Sequence, residues 1–298
     1  MARALLITNP MAARTDPEII RKVSRVLEKA GMTVEVAGTT KTGDAAEFAR
    51  QGVQDNVDII AVYGGDGTTT QAVRGMVGSE VPLGLIPGGT GNILAGNLRI
   101  PRSPTRAAQV LVRGTPRRID LGRVARDDGA HYFAVNCGAG FDAELMVATS
   151  EQAKRRWGVG AYVAQAWQKL SDITSVPHCI TVDGEPLEAE AAWVMIANCG
   201  EIVPPLLRVG ENIALDDGLL DVVVVHATGV VDSVGVVWRM MRGLPQGIRN
   251  VRYARGRRIT VESNPSRPIQ LDGEPAGITP FTADVLPGAI RVLVAAAG

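Results

Sequence analysis

This 298-residue chain lacks an excess of charge of either sign and lacks paired cysteines. Its 31 acidic and 31 basic side chains balance, so no global field attracts nucleic acid or an anionic bilayer. An anionic ligand must therefore be bound locally. The three cysteines, Cys137, Cys179 and Cys199, are odd in number and have no CxxC spacing, which argues against a disulfide framework or a zinc site. A reducing cytosol suits them.

Membrane-spanning and secretory segments are lacking as well. The most apolar stretch, residues 218–241, is interrupted by Asp221, His226 and Asp232 before it reaches a membrane-spanning length. The opening MARALLITNPMAA has one early arginine and a short apolar run, which fits the first strand of a sheet better than a signal peptide. We therefore expect a cytoplasmic protein that crosses no bilayer.

Several common catalytic patterns are also missing. His131, His178 and His226 share no spacing with one another or with acidic clusters, so they form neither a metal site nor a nucleophile triad. The sequence has no Gly-x-Ser-x-Gly elbow and no Walker loop ending in Gly-Lys-Ser/Thr. The chemistry must come from other motifs.

The pattern of apolar residues changes along the chain. The first third alternates short apolar runs with helix-period segments, which predicts an α/β domain with a parallel sheet. From about Leu121 the pattern becomes strand runs separated by Asp-Gly and Pro-rich turns, which predicts an antiparallel domain. Helices are expected there only at 143–172 and 229–243. We divide the chain into a nucleotide-binding domain, 1–123, and a β-rich substrate domain, 124–298, with a cleft between them.

A glycine loop follows the third predicted strand, Val57 to Tyr63, in VDIIAVYGGDGTTTQAV. Glycine permits positive φ and lets backbone N–H groups approach a phosphate, while the helix that follows offers unpaired donors and the positive end of its dipole. A carboxylate in such a loop repels phosphate, so we expect Mg²⁺ or an ordered hydroxyl between Asp66 and the phosphates. The loop consists of Gly64, Gly65, Asp66, Gly67, Thr68, Thr69 and Thr70.

A second loop follows the next predicted strand, Leu83 to Ile86, in LGLIPGGTGNILAGNL. It consists of Gly88, Gly89, Thr90, Gly91 and Asn92. In a parallel sheet both loops emerge at the carboxyl edge, where ligands of such folds bind. Either loop alone could be a tight strand-to-helix turn, but two of them on one edge predict a polyphosphate site.

This combination of motifs resembles the diacylglycerol kinase catalytic family, which groups bacterial lipid kinases with diacylglycerol, sphingosine and ceramide kinases. GGDGT is followed by PGGTGN about twenty residues later, and TNP, TTKTGDAAEFAR, NCGAGFDAEL, LDDGLLDVVVV and LDGEPAG occur in family order and spacing. GGDG alone is also found in NAD kinases and phosphofructokinases. The resemblance implies an α/β nucleotide domain, a β-sandwich domain, and transfer of the γ-phosphoryl group of ATP to a lipid hydroxyl.

The resemblance also implies roles for residues at matching positions. It assigns ATP contacts to Asn9, Thr39, the seven residues from Gly64 to Thr70, Gly89, Thr90 and Asn92. It places a magnesium ion in ALDDGLLD, on the side chain of Asp217 and the carbonyl groups of Ala214 and Leu219; the alternative for this stretch is a plain Asp-Gly turn. Two positions depart from the family. NPMAAR lacks the glycine that often follows Asn-Pro, and Ile93 stands where an aspartate often follows GTGN, which alters the phosphate-side loop and what is held at the cleft.

The tetrapeptide DGEP occurs twice, at 183–186 and 272–275, each time after an apolar run that favours a strand. Asp-Gly after such a run predicts a hairpin turn in both places. Phosphoryl transfer needs a carboxylate within hydrogen-bond reach of the acceptor hydroxyl. The residues alone leave Glu185 and Glu274 equally eligible. The resemblance assigns the general base to Glu274, with Asp66 as the second catalytic carboxylate.

The expected protein is thus a cytoplasmic lipid kinase that uses ATP and Mg²⁺ and meets its lipid substrate through peripheral contact with the membrane surface. EQAKRRWGVGAYVAQAWQKL combines basic and aromatic side chains on a predicted helix that suits such an interface, although burial of its aromatic side chains is the simpler interpretation. No nucleic-acid partner is expected, and the oligomeric state stays open, a homodimer included. Two alternative functions remain, a kinase of a soluble acceptor such as NAD and a nucleotide-binding regulatory protein without turnover.

Overall fold

The computed structural model describes residues 1–10, 16–127, 129–140, 174–205, 207–210, 212–227 and 250–296, with isolated positions between 228 and 249. Two compact units are present. The first comprises Met1–Ile119 and Gly288–Gly298, and the second Asp120–Pro287. The strand pattern of both units confirms the predicted fold class, an N-terminal α/β domain with a parallel sheet and a C-terminal antiparallel β-sandwich.

The first unit is built from alternating strands and helices. These are β1 (Ala2–Thr8), α1 (Pro17–Lys29), β2 (Met32–Gly38), α2 (Asp44–Gln54), β3 (Ile59–Gly64), α3 (Asp66–Met76), β4 (Leu83–Pro87), α4 (Ile93–Asn97) and α5 (Pro104–Arg113). Its sheet has the order β2-β1-β3-β4, and every neighbouring pair is parallel. β3 and β4 are buried along their whole length, as expected of parallel strands covered by helices on both faces.

Local sequence accounts for the helix starts in this unit. Asp16 caps α1, because its side chain accepts the backbone N–H of Glu18 at 2.7 Å, and Pro17 occupies the first helical turn, where a missing N–H costs nothing. By contrast, Gly65, the residue before α3, gives that helix no side-chain cap. The first N–H groups of α3 therefore receive no side-chain acceptor from the residue that precedes the helix.

The second unit is formed mainly by β-strands. They are β6 (Gly129–Phe133), β7 (Asn136–Gly140), β8 (Val176–Val182), β9 (Glu185–Ala191), β10 (Trp193–Ala197), β11 (Glu201–Val203), β12 (Leu207–Arg208), β13 (Leu220–Val225), β14 (Val251–Gly256), β15 (Arg258–Ser263), β16 (Pro268–Leu271) and β17 (Glu274–Ile278). Two further strands, β5 (Thr115–Arg126) and β18 (Phe281–Val294), contribute residues to both units.

The strands of the second unit form two layers around one apolar core. One layer has the antiparallel order β14-β13-β10-β7-β16-β17, and the other contains β15 between β18 and β8, with β9 beyond β8. Side chains from both layers make up the core, among them Ile196 and Val222 from the first layer and Ile180 and Ile259 from the second. This is the arrangement of a β-sandwich.

The end of the chain is placed differently from the sequence-based division at 123/124. Residues 288–298 were assigned to the second domain, but in the structure they belong to the first unit. Val292 of β18 pairs in parallel with Leu83 of β4, so the last strand extends the first unit's sheet. A strand pattern indicates which face of a strand is buried but not which strand it pairs with.

Two predicted helices fall where the structure gives little or no description. The segment 143–172, which includes the proposed membrane-facing helix, lies outside the described residues, and the segment 229–243 lies largely outside them. Across the parts of the chain that are described, no helix combines the length and the apolar character needed to cross a bilayer.

Candidate active site

The two glycine loops lie side by side at one edge of the first unit's sheet. β3 and β4 are adjacent parallel strands, with Gly64 paired to Pro87 at their carboxyl ends. The N–H of Gly88 donates to the carbonyl of Gly64 at 2.8 Å, which continues the pairing into the loops. The sequence-based expectation that both loops occupy the same edge is thus met by the strand order.

The loops approach each other so closely that side chains are excluded. A methyl group added at Gly89 would come within 2.5 Å of the Cα atom of Gly65, and one added at Gly91 within 2.5 Å of Oδ2 of Asp66. Neither contact is sterically possible without movement of the loops, so glycine at these two positions is a packing requirement. Gly67 differs, because it is exposed and has open space around it.

Asp66 joins the first loop to the second. One carboxylate oxygen accepts the N–H of Asn92 at 2.8 Å and the other accepts the N–H of Ile93 at 2.5 Å. Burial raises the pKa of Asp66, and the N–H donors of Ile93 and Asn92 partly offset that shift. We predicted Mg²⁺ or a hydroxyl between Asp66 and phosphate. The structure adds a different role, in which the carboxylate fixes the spacing of the two loops.

Asn92 closes the second loop on itself. Its Oδ1 accepts the N–H of Gly89 at 2.9 Å and its Nδ2 donates to the carbonyl of Gly89 at 2.8 Å. It has a φ of 50°, a left-handed conformation that asparagine tolerates better than most residues. Ile93 takes part through its backbone only, so the absence of the family's aspartate leaves this position able to donate its N–H to Asp66. Thr90, at the tip of the loop, is exposed.

The remaining predicted nucleotide residues of the first unit follow the same edge. Asn9, just after β1, donates from Nδ2 to Oγ1 of Thr68 at 3.2 Å. Thr39, just after β2, donates its N–H to the carbonyl of Thr8 at 2.8 Å. Thr68 and Thr70 are buried and Thr69 is half-buried. The structure therefore brings the residues predicted to contact ATP together at the carboxyl ends of β1 to β4.

The segment after Thr39 is shaped by a carboxylate that the sequence reasoning did not select. Oδ2 of Asp44 accepts the N–H and the hydroxyl of Thr40, both at 2.8 Å, and the N–H of Lys41 at 3.0 Å. These donors hold the pKa of Asp44 below its usual value. Gln71 of α3 accepts the N–H of Gly43 at 2.9 Å. The segment is thereby fixed to the helix that begins in the first glycine loop.

In the second unit, both DGEP segments form the same turn. Asp183 and Asp272 each have a φ of 50°, and each is followed by a glycine at positive φ, as the prediction of two Asp-Gly hairpin turns requires. Their glutamates differ in environment. Glu185 is exposed, whereas Glu274, at the start of β17, is half-buried. The turn at 272–275 therefore presents the more enclosed carboxylate.

An arginine, Arg255, lies beside the loop that resembles the family's magnesium site. Oδ1 of Asp217 accepts the N–H of Leu219 at 3.1 Å, and its Oδ2 lies 3.6 Å from Nη1 of Arg255. Arg255 also bonds Asp221 through Nε at 3.0 Å and donates from Nη2 to the carbonyl of Asn212 at 2.7 Å. One guanidinium thus bridges the loop and the strand β13. The hydrogen bond with Asp221 raises the pKa of Arg255, so the group is a permanent cation.

The magnesium site that the resemblance places in this loop stays a prediction. The oxygen donors of Ala214, Asp217 and Leu219 are of the type that Mg²⁺ prefers. An ion bound there would share the carboxylate of Asp217 with the guanidinium of Arg255, which is itself paired with Asp221. Within the described ranges, no group of three or more His, Cys, Asp or Glu side chains is arranged to hold a metal. Arg255 places a positive charge beside this loop.

The same loop is held by a buried carboxylate, Asp120, that no sequence motif marks. Asp120 is 2% exposed, its Oδ2 accepts the N–H of Gly218 at 2.7 Å, and its own N–H donates to the carbonyl of Leu215 at 2.6 Å. These bonds fix the turn that carries Asp217 from within the second unit. An Asp in an ordinary strand context, as in RRIDLGRV, has no signal that distinguishes it in the sequence.

A cavity of about 1070 Å³ opens elsewhere in the second unit. Its lining includes His178, Glu188, His226 and Arg252, but none of the predicted catalytic or metal residues is among the described residues that form it. His178 is 3% exposed, and burial lowers its pKa. Its Nδ1 lies 2.9 Å from the carbonyl of Val176, which fits a neutral imidazole with the proton on Nδ1.

Comparison with known proteins gives a consistent picture for both units. The sequence profile of the "Diacylglycerol kinase catalytic domain" matches residues 3–124, and that of the "YegS C-terminal NAD kinase beta sandwich-like domain" matches residues 135–294.

Similar whole chains are found as well. The chain is 29% identical over 287 residues to "Diacylglycerol kinase" of Bacillus subtilis, which covers 94% of this chain and 92% of that protein. It is 31% identical over 300 residues to "Probable lipid kinase YegS-like" of Chromohalobacter salexigens, which covers 96% of this chain and 91% of that protein. A crystal structure of a candidate diacylglycerol kinase from Bacillus anthracis superimposes with a TM-score of 0.83 at 25% identity, over 99% of this chain and 95% of that chain.

Proposed function

Because the chain belongs to the family of diacylglycerol kinases and YegS-like lipid kinases, we propose that it transfers the γ-phosphoryl group of ATP to a lipid hydroxyl, with diacylglycerol as acceptor and phosphatidic acid as product. The observation that carries this proposal is the pair of glycine loops on neighbouring strands, joined through the carboxylate of Asp66. Both relatives of this chain cited above are named for lipid substrates or lipid kinase activity.

The loops provide what a triphosphate needs. Backbone N–H groups at the start of α3, where no side chain caps the helix, and the positive end of the helix dipole favour bound phosphate oxygens. The exposed Gly67 and Thr90 leave room for a ligand at the tips of both loops. Since Asp66 fixes the distance between the loops, it prepares the two sets of donors before the nucleotide arrives.

Magnesium enters this proposal only as the companion of the nucleotide. When bound, Mg²⁺ neutralises the charge that develops on the β- and γ-phosphates. Asp66 is the carboxylate that would hold the ion or one of its waters, because each of its oxygens accepts one N–H from the second loop and retains further acceptor capacity. The rest of the chemistry falls to the chain's own groups.

Glu274 would accept the proton of the acceptor hydroxyl as the phosphoryl group is transferred. Its half-buried position in a fixed turn suits a general base better than the exposed Glu185 does. Removing that proton makes the lipid oxygen a better nucleophile, although most of the rate enhancement in phosphoryl transfer comes from positioning and from stabilising charge. The enzyme would meet its substrate by peripheral contact with a membrane from the cytoplasm.

A transfer assay with three acceptors tests the proposal. The protein is incubated with γ-labelled ATP and Mg²⁺ and with dioctanoylglycerol in mixed micelles, sphingosine in mixed micelles, or NAD. Label in an organic-soluble product of the diacylglycerol reaction supports the proposal. Label found mainly in phosphorylated sphingosine or in a dinucleotide would replace the acceptor, and nucleotide binding without any labelled product would indicate a regulatory protein that has lost turnover.

A further inference from the structure

The two DGEP turns share one anchoring device. In the first turn, the carboxylate of Asp183 accepts the N–H groups of Arg257 and Arg258 at 2.9 and 2.8 Å. In the second, the carboxylate of Asp272 accepts three consecutive N–H groups at 2.8, 2.9 and 3.0 Å. These donors belong to Ala134, Val135 and Asn136. Each aspartate thus fixes its turn to a distant stretch of backbone with bonds of the strong, charge-assisted kind.

The hairpins that carry the turns are supported unequally. β8 and β9 pair without interruption from Val176–Ala191 to Val182–Glu185, so the first turn is held by a complete ladder. β16 and β17 pair at only three positions, and their register shifts between Pro268 and Gln270. β17 is also the outer strand of its layer and is largely exposed. The β16–β17 ladder alone therefore supports the second turn weakly, and its position depends on side-chain bonds together with one backbone bond, from the N–H of Asp272 to the carbonyl of Asn136 at 2.9 Å.

A second buried side chain reinforces the anchor of Asp272. Gln270 is 2% exposed; its Oε1 accepts the N–H of Gly273 at 2.7 Å and its Nε2 donates to Oδ1 of Asn136 at 2.6 Å. Both anchors end on the same short stretch of chain that precedes and begins β7, that of Asp272 on backbone N–H groups and that of Gln270 on the side chain of Asn136. Glu274 follows directly, so any movement of this turn moves its carboxylate.

We propose that Asp272 is a positioning residue for the reaction, which holds the turn of Glu274 in its working place by binding the backbone N–H groups of residues 134–136. Gln270 supports the same placement. The inference rests on the proposed role of Glu274 as general base. Since Asp183 makes the same kind of anchor in a turn with no proposed role in the reaction, the chain provides its own matched control.

The test compares Asp272→Asn with Asp183→Asn by thermal unfolding and by steady-state kinetics with dioctanoylglycerol micelles and Mg²⁺-ATP, well below both unfolding temperatures. Asp272→Asn should lower kcat at least tenfold while the KM for ATP stays within about twofold. Asp183→Asn should lose thermal stability and keep kcat within twofold. Equal losses of kcat in both variants, or an unchanged kcat in Asp272→Asn, would overturn the inference.

Amide hydrogen exchange supplies a readout that needs no turnover. In Asp272→Asn, residues 272–276 should exchange at least tenfold faster than in the parent protein, and retained protection would refute the positioning role whatever the activity. If Asp272→Asn does not fold, Gln270→Leu replaces it, with the same expected fall in kcat and rise in exchange.

Glu274→Gln distinguishes failure of the proposed base from failure of the proposed positioning residue. Full activity in that variant removes the proposed base, whereas loss of activity there with normal kcat in Asp272→Asn removes only the positioning residue.

Discussion

Replacement of Asp66 by asparagine should loosen the joint between the two glycine loops. The carboxylate accepts the N–H groups of Asn92 and Ile93, one on each oxygen. Asparagine keeps the shape but has one acceptor, so its NH₂ group faces one of these donors and leaves it unpaired. An unpaired buried N–H costs about 1–3 kcal/mol, and the lost charge-assisted bond is of similar size. Relief from burying a charge offsets part of this, so we expect a net loss of about 2 kcal/mol.

Two measurements follow from this estimate. The thermal unfolding temperature should fall by about 4–8 °C. Titration calorimetry should show about tenfold weaker ATP binding, since the loops lose their fixed spacing. Asp58→Asn is the control, because Asp58 also accepts a backbone N–H, from Arg3 at 2.7 Å, but precedes β3 at the opposite edge of the sheet. That variant should bind ATP normally.

The pH dependence of the same pair gives an independent check. Burial raises the pKa of Asp66 above its ordinary value of 3.8, so ionisation of this group costs more in the folded state than in the unfolded chain. The stability contributed by this group is fully present below pH 3.8 and is lost as the pH rises through the raised pKa. The parent protein should therefore gain stability relative to Asp66→Asn as the pH is lowered towards 3.8. An unchanged ATP affinity, or a stability loss no greater than in the control, would refute the role of Asp66 as the joint.

Three further outcomes are expected. Glu274→Gln should abolish lipid phosphorylation with folding and ATP binding intact. Glu185→Gln, on an exposed turn, should change the rate by less than twofold. Comparable losses in both variants would contradict the assignment of Glu274 as the general base. Arg255→Gln should lower the free energy of unfolding in urea by about 2 kcal/mol, because it removes the bridge between the Asp217 loop and β13. The parent protein should unfold at the same temperature in EDTA and in Mg²⁺. A several-degree loss on chelation in the parent would show that a metal occupies the loop. His178→Gln should flatten the acid side of the curve of stability against pH. Burial lowers the pKa of His178, so its contribution to the free energy of unfolding is present above pH 6.5 and is lost as the pH falls through the lowered pKa. Parallel curves for the two proteins would contradict this.

The sequence was sufficient to predict the elements that depend on local pattern. Alternating strands and helices, the two glycine loops and both Asp-Gly turns follow from periodicity and from residues that tolerate positive φ. The partners of buried carboxylates could not be predicted in this way. Asp66 bonds N–H groups more than twenty-five residues away, and Asp120 bonds Gly218 across nearly one hundred. Such bonds depend on which strands become neighbours, and single-sequence patterns do not specify pairing.

The predicted magnesium site shows that a motif can be complete in sequence while the charges around it depend on residues elsewhere in the chain. ALDDGLLD is present with every oxygen donor that the family pattern asks for, yet its Asp217 faces a guanidinium. The decisive residue, Arg255, lies on a different strand, opposite Asp221 in the register of β13 and β14. The charge available to a loop is therefore set by its cross-strand neighbour, which no inspection of the loop alone can supply.

The two DGEP segments show the same dependence on distant residues at the predicted catalytic carboxylate. Identical tetrapeptides give the same backbone turn and the same aspartate anchor, so local sequence determines local structure in both places. What differs is the support: the first hairpin has a complete ladder, whereas the second has a shifted register and two polar side-chain anchors, Asp272 and the buried Gln270. An edge strand held by specific side chains can be placed more freely than one bound to a full ladder, which suits a carboxylate that must reach a substrate. The weakness of the second ladder is thus the feature that we expect to matter for turnover, and strengthening it while removing Asp272 should not restore the rate.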